Sequence, residues 1–377
     1  MLFVRQEFLK EGMRLAKPIY NKKGVLLYDR NSKLTRQGIE SVHNFGLIGL
    51  YILEPAEPVP PMTEEDMEFE RFSVVSTFTI QDELTAVHNG KKISALEGLT
   101  TQIVKRYGNL DHKINFVQSL RSVEDKYFKH SLNVAILCAM ITHVLNIRLA
   151  DQHDTVLAAL MHYIGMLDIP DSILQKGENI TDADRETISL CESRGFSYIE
   201  AATMQYPNVK RIAAQSYKAL GDFNHGRELE NEKKFHPGTR ALMVANTFDT
   251  ITAMNDYNEP SSEVSALRFL LEHENVFGKA EIEALTKSIF ILAPGCSVEL
   301  NTGEKALVLS ENTRNVLKPV VLGFSSNQVI DLGQEVIFGN LYIKDVMKTL
   351  DNRVAIDHNA LAGFGSMAGA APAGEGS

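Results

Sequence analysis

Apolar positions in the middle of this 377-residue chain recur at helical spacing, whereas those toward its two ends alternate with polar ones. Ile93, Leu96, Leu99 and Ile103 form one stripe in "ISALEGLTTQIVKRY", the spacing of an amphipathic helix. "HSLNVAILCAMITHVLNI" is apolar on nearly every side, which predicts a central buried helix opening at His130. "DTVLAALMHYIG" predicts another, ending at His162 and stopped by Gly165. Four more helical patterns follow in "DADRETISLCESRGFSYIEAATM", "VKRIAAQSYKAL", "TRALMVANTFDTITAM" and "EVSALRFLLEH". No strand pattern alternates with them, which argues against a parallel α/β sheet. The fold class is mainly α: a helical bundle with a small N-terminal α+β module and a small C-terminal β-rich module.

The modules have legible borders. Residues 1–55 hold the strand-like runs "MRLAKPIY" and "GVLLY" around the turn sequence "NKKG", then the helix "SKLTRQGIESVHNFG" with Ser32 as its cap, then the strand "LIGLYIL". "EPAEPVPPMTEED", Glu54 to Asp66, is acidic and proline-rich and reads as a linker, so 56–110 is taken as linker plus a helical segment. Residues 111–293 form the helical domain. From 294 to 352 short Val- and Leu-rich runs separated by Asn, Gly and Pro turns predict the β-rich module. The Gly/Ala/Ser tail at 353–377 lacks the means to form a core and is expected to be disordered.

Composition narrows the function classes. A net charge of −10 argues against nucleic acid as a major partner, since phosphate binding needs a basic surface. Cys138, Cys191 and Cys296 lie far apart and read as free thiols. The charged start "MLFVRQEFLKEGM" is no signal peptide, and the longest apolar run, Val134–Ile141, is too short to span a bilayer. The expectation is a cytoplasmic protein without a membrane partner. His153-Asp154 reads as a solvated helix entry, and His225 and His236 as flanks of the exposed loop "GRELENEKK".

"KHSLNVA", "AALMHYIGMLDIPDSILQKGENIT" and "RALMVANTFDTITAM", in this order and spacing, resemble the HD-GYP family of bacterial cyclic di-GMP phosphodiesterases, metal-dependent phosphohydrolases of the HD superfamily. The resemblance covers roughly 120–275 directly and implies an HD-type helical bundle. His130 matches the family's first metal ligand and His162 the His of the HD pair. Tyr163 stands where the bridging Asp belongs, Met166 where a phosphate-facing Lys belongs, and Cys191 at a ligand His. Gln215 and Ser216 replace two further ligand histidines, Tyr217 a Glu, Leu220 an Asp, and Phe223-Asn224-His225 the Gly-Tyr-Pro, leaving Gly221 of that loop. Asn246 takes the place of the late metal-binding Asp. Gly165, Ile169, Pro170, Ile173, Lys176, Thr181, Gly195, Arg240 and Asp249 are kept.

A two-metal hydrolase needs anionic ligands to hold two dications and to generate hydroxide near neutral pH. Two imidazoles at vestigial metal positions, with Tyr163, Cys191, Gln215, Ser216 and Asn246 at the substituted ones, imply a catalytically impaired protein. No cofactor is expected; an active centre would call for divalent iron, manganese or zinc. Three readings stay open: a regulatory or interaction module in cyclic-nucleotide signalling, an active phosphodiesterase with a divergent site, and a cyclic di-GMP sensor that does not cleave. The sensor would need cations, for which Lys176, Lys218 and Arg240 are the candidates by motif position. The remaining expectations are an unidentified signalling protein as partner and homodimerisation through the helical linker region.

Overall fold

The computed structural model describes residues 2–21, 25–53, 59–174, 176, 179–254, 260–347, 353–354 and 356. Two compact units emerge, one built on residues 1–291 and the other on 292–347. The turn at 22–24, the linker start at 54–58 and the tail from 357 lie outside the described residues.

The first unit opens with β1 (Leu2–Arg5), β2 (Arg14–Leu15), the hairpin partners β3 (Ile19–Tyr20) and β4 (Leu26–Tyr28), helix α1 (Arg36–Asn44) and β5 (Gly49–Leu53). Strand β5 lies between β1 and β2, antiparallel to both, with Phe3 opposite Tyr51. All five β5 residues are buried, in a core that includes Leu15, Leu34 and Val42 and that Leu120 and Met254 join from far along the chain. The cap of α1 is Thr35, whose side chain accepts from Gly38 N, and not Ser32. The helix starts three residues later than expected, and Leu34, already buried, sits before it.

The bundle follows: α2 (Glu64–His88), α3 (Ala95–Tyr107), α4 (Lys126–Val144), α5 (Leu149–Met161), α6 (Asp171–Leu174), α7 (Asp182–Ala202), α8 (Pro207–Asn224), α9 (Thr239–Thr252), α10 (Glu263–Glu272), α11 (Glu274–Phe277) and α12 (Lys279–Ser288). Reciprocal capping boxes, Thr63 with Asp66 and Thr181 with Asp184, start α2 and α7. Helix α4 is packed by α2, α3, α5, α9 and α12, which is why it is apolar all round. Each of its fully buried Ile and Leu side chains, Ile136 and Leu137 among them, contributes about 1.5–3 kcal/mol by burial. It begins four residues before His130, which therefore sits in its second turn and not at its start.

A single turn of 3-10 helix, Ile164–Asp168, follows α5 and lies directly on α7. A Cβ on Gly165 would fall 2.5 Å from the Cys191 carbonyl oxygen, and one on Gly195 would fall 2.8 Å from Gly165 N. Backbone meets backbone here, and only glycine allows it.

The second unit is an antiparallel sheet of β6 (Ser297–Leu300), β7 (Lys305–Ser310), β8 (Val320–Gly323) and β9 (Val329–Asp331), with α13 (Glu335–Phe338) leading to β10 (Ile343–Val346). The strand order is β10-β6-β7-β8-β9. Val298, Leu300, Ala306, Val308 and Val321 are buried and alternate with more exposed neighbours, the period-2 pattern of a one-sided sheet. The architecture is mainly α with small β modules at the two ends.

Candidate functional site

Helices α4, α5 and α9 bring four of the singled-out residues together. His130 on α4 and His162 at the C-cap of α5 place their ring centroids 5.3 Å apart. Tyr163 is wedged against both, at 4.7 Å from His130 and 4.6 Å from His162, and stacks on Tyr127 at 6.1 Å. Asn246 on α9 lines the same cavity as His162 and Tyr163, a space of about 1090 Å³ that Ser216, Tyr217 and Leu220 also border.

Protonation follows from the partners. His162 Nδ1 lies 2.6 Å from the Ala159 carbonyl oxygen, which can only accept, so Nδ1 carries the proton and Nε2 presents a lone pair. Burial, with His130 close by, pushes the His162 pKa down to about 3, leaving the ring neutral. His130 Nδ1 donates to Asp249 Oδ2 at 2.6 Å. His130 Nε2, His162 Nε2 and Asn246 Oδ1 are buried without a partner among the described residues. Burial raises the Tyr163 phenol well above its usual range, so it stays protonated.

Asp249 is the buried charge behind this site. It accepts from both Arg121 Nη2 contacts (2.7 and 2.8 Å), Asn133 (2.8 Å) and Gln118 (2.9 Å), besides His130. Burial alone would raise its pKa, but the Arg121 guanidinium and His130 hold it far below the usual carboxylate range. The sequence reading kept Asp249 as structural and missed Gln118, Arg121 and Asn133. The signal was present in "NFVQSLRS", where Gln and Arg three residues apart interrupt an apolar run just ahead of His130.

The other singled-out positions are engaged elsewhere. Cys191 packs with Ile169 and Ile173 in a small apolar cluster that Met166 also touches, and its thiol faces the Asp168 carbonyl at 3.6 Å. Gln215 braces the 234–239 segment, accepting from His236 N (2.9 Å) and Thr239 Oγ1 (2.8 Å) and donating to Lys234 O (3.1 Å). Lys176 reaches both oxygens of Asp184 at 2.7 Å, Lys218 pairs with Glu230 at 2.6 Å, and Arg240 pairs with Glu232. None of these five residues borders the cavity. The Gly221 segment is no loop: α8 runs through it to Asn224.

Two expectations are corrected. Asp154 is buried in the second turn of α5, where Asn208 Nδ2 donates to it at 3.2 Å; the helix packs on α8 there, so that face is not solvated. His236 is also buried, 3.3 Å from Asp151, and is not part of the exposed loop that precedes it.

Residues 115–279 match the family model described as HD domain. This segment is an HD domain. The chain is also 25% identical over 225 residues to a cyclic di-GMP phosphodiesterase of Pseudomonas aeruginosa, an alignment covering 57% of this chain and 54% of the relative. The chain thus spans about half the length of that curated relative. Together the two matches support an HD-GYP-type member of the HD superfamily.

HD-domain phosphohydrolases work with divalent metals, a chemistry that asks for anionic ligands at the site. The three unpartnered atoms are two imidazole nitrogens and one amide oxygen. Asp249, the nearest carboxylate to His130, is consumed by five hydrogen-bond contacts. Among the described residues no group of three or more His, Cys, Asp or Glu side chains is placed to hold a metal. A donor set without an anion at its centre does not fit a two-metal hydrolytic site.

Proposed function

We propose that this chain is a non-hydrolytic HD-GYP-type protein that serves as a regulatory or interaction module in bacterial cyclic-nucleotide signalling. One observation carries the reading: the atoms left unpartnered at the expected metal position, on His130, His162 and Asn246, are two imidazole nitrogens and an amide oxygen, with Tyr163 packed across both rings. The kept residues support the scaffold. Gly165 and Gly195 allow the close backbone contact, and Lys176 and Thr181 start α7 through Asp184. The test is metal analysis of the purified protein with a turnover assay on cyclic di-GMP in added manganese or iron. The expected result is less than one equivalent of transition metal and no turnover; robust turnover abolished by His162→Ala would refute the reading.

A second reading, a non-cleaving cyclic di-GMP sensor, is favoured by the size of the cavity and by Tyr217, Phe223 and Phe269 on its walls, which offer faces for base stacking. Charge counts against it. Arg185 is the one lysine or arginine among the described lining residues, against Glu186 and Glu192. Calorimetry with cyclic di-GMP separates the two, and micromolar binding weakened by Arg185→Ala would favour the sensor.

A further inference from the structure

The N-terminal module, α2 and the 117–129 segment line a second cavity, of about 400 Å³, distinct from the one above. Ile19, Phe45, Phe69, Phe78 and Leu120 give it apolar and aromatic walls. Two polar side chains one turn apart on α2 also line it, and each leaves an oxygen without a partner: Glu70 Oε2 and Ser73 Oγ. Ser73 is 5% exposed. Glu70 Oε1 lies 3.5 Å from Lys17 Nζ, and Lys17 in turn donates to the Gln118 carbonyl at 2.6 Å. The carboxylate is thereby fixed with its second oxygen left to accept. Polar atoms buried in this manner are costly unless a donor reaches them.

We propose that this cavity is a binding site for a small amphiphile, an aryl or alkyl body ending in a hydrogen-bond donor that Glu70 Oε2 and Ser73 Oγ receive. The volume is in the range of drug-sized ligand sites, which combine apolar walls with a few convergent polar groups. Charge sets the kind of head group. Glu70, Glu124 and Asp125 border the space against Lys17 and Lys129, so an amine or hydroxyl suits it and a carboxylate head does not. The far wall is built from the 117–125 segment. That segment also presents Gln118 and Arg121 to Asp249, so an occupant rests on the backbone that orients His130.

Isothermal calorimetry on the full chain, with 4-phenylbutylamine, 4-phenylbutanol and 4-phenylbutyrate as probes, tests the site. The amine and the alcohol bind saturably, and the acid binds at least about tenfold more weakly, the loss expected when its carboxylate meets the Glu70 carboxylate. Ser73→Ala, which removes only the hydroxyl, weakens the alcohol about fivefold or more, on the same grounds. Glu70→Gln weakens the amine more than the alcohol. Leu220→Trp, in the larger cavity, leaves both unchanged. Circular dichroism confirms that each variant is folded, and Ser73→Ala carries the test if Glu70→Gln does not fold. The proposal is overturned if neither donor probe saturates, if the acid binds as well as they do, if Ser73→Ala has no effect, or if Leu220→Trp abolishes binding.

Discussion

Asp249→Asn is the substitution that most directly probes the buried network behind the site. Asp249 is fully buried and Arg121 has a side-chain exposure of 6%. Replacing one carboxylate oxygen by NH₂ turns a donor toward donors and leaves the Arg121 guanidinium in the interior without its counter-charge. An exposed pair of this kind would cost under about 1 kcal/mol to break. A buried pair broken from one side costs about 3–5 kcal/mol, because the remaining charge stays desolvated. The larger figure applies, since five contacts from four side chains converge on these two oxygens. Urea denaturation followed by far-UV circular dichroism reads it, because among the described residues all helices but α13 belong to the first unit. The double variant Arg121→Met with Asp249→Leu should recover much of the loss, since it removes both charges together. A cost below about 1 kcal/mol for Asp249→Asn, or a double variant no more stable than the single, would show that the network carries no buried charge to balance.

The same carboxylate sets a pH signature. Its folded pKa lies below its unfolded one, so its stabilisation is present above the unfolded value, about 3.9, and is lost as pH falls toward the folded value. Asp249→Asn should flatten the acid limb of the stability curve.

Three further outcomes are expected. His162 stays neutral from pH 8 down to about 3; because the unfolded ring takes up its proton near pH 6.5, the protein loses stability as pH falls between those values, and His162→Gln removes that slope, with proton NMR of the imidazole as the check. Gly195→Ala should cost about 1–3 kcal/mol by overpacking against Gly165, while Gly221→Ala, in the last turn of α8 with open space where its Cβ would fall, should gain up to about 1 kcal/mol; equal thermal shifts for the two would refute the packing argument. Tyr163→Asp with Asn246→Asp supplies two anions beside His130 and His162, and calorimetry should show manganese binding that neither the parent nor the single variants match.

What the sequence disclosed, and what it withheld, divides by the range of the interaction. Helical periodicity is local, and α4 and α5 are legible from their own residues; so is the alternation of β6 to β8. A departure from a motif is legible too, because the residue type alone decides what it can donate or accept, as with Tyr163 and Asn246. The function of a kept residue is not local. Asp249 could have been a ligand, a cap or a solvated charge; its role follows from Gln118, Arg121, Asn133 and His130, between 116 and 131 positions earlier. Asp154 and His236 were misplaced for the same reason, since Asn208 and Asp151 are the partners that make their burial tolerable. Cys191 and Met166 show the converse. The resemblance matches Cys191 to a ligand His and Met166 to a phosphate-facing Lys, yet both pack into one apolar cluster with Ile169 and Ile173. Hydrophobic side chains at those positions stabilise the turn that carries the Gly165 contact onto α7. In the proposed reading, exchange of a ligand for an apolar group therefore removes one function and strengthens the scaffold in the same step, so such substitutions need no separate compensation elsewhere in the chain.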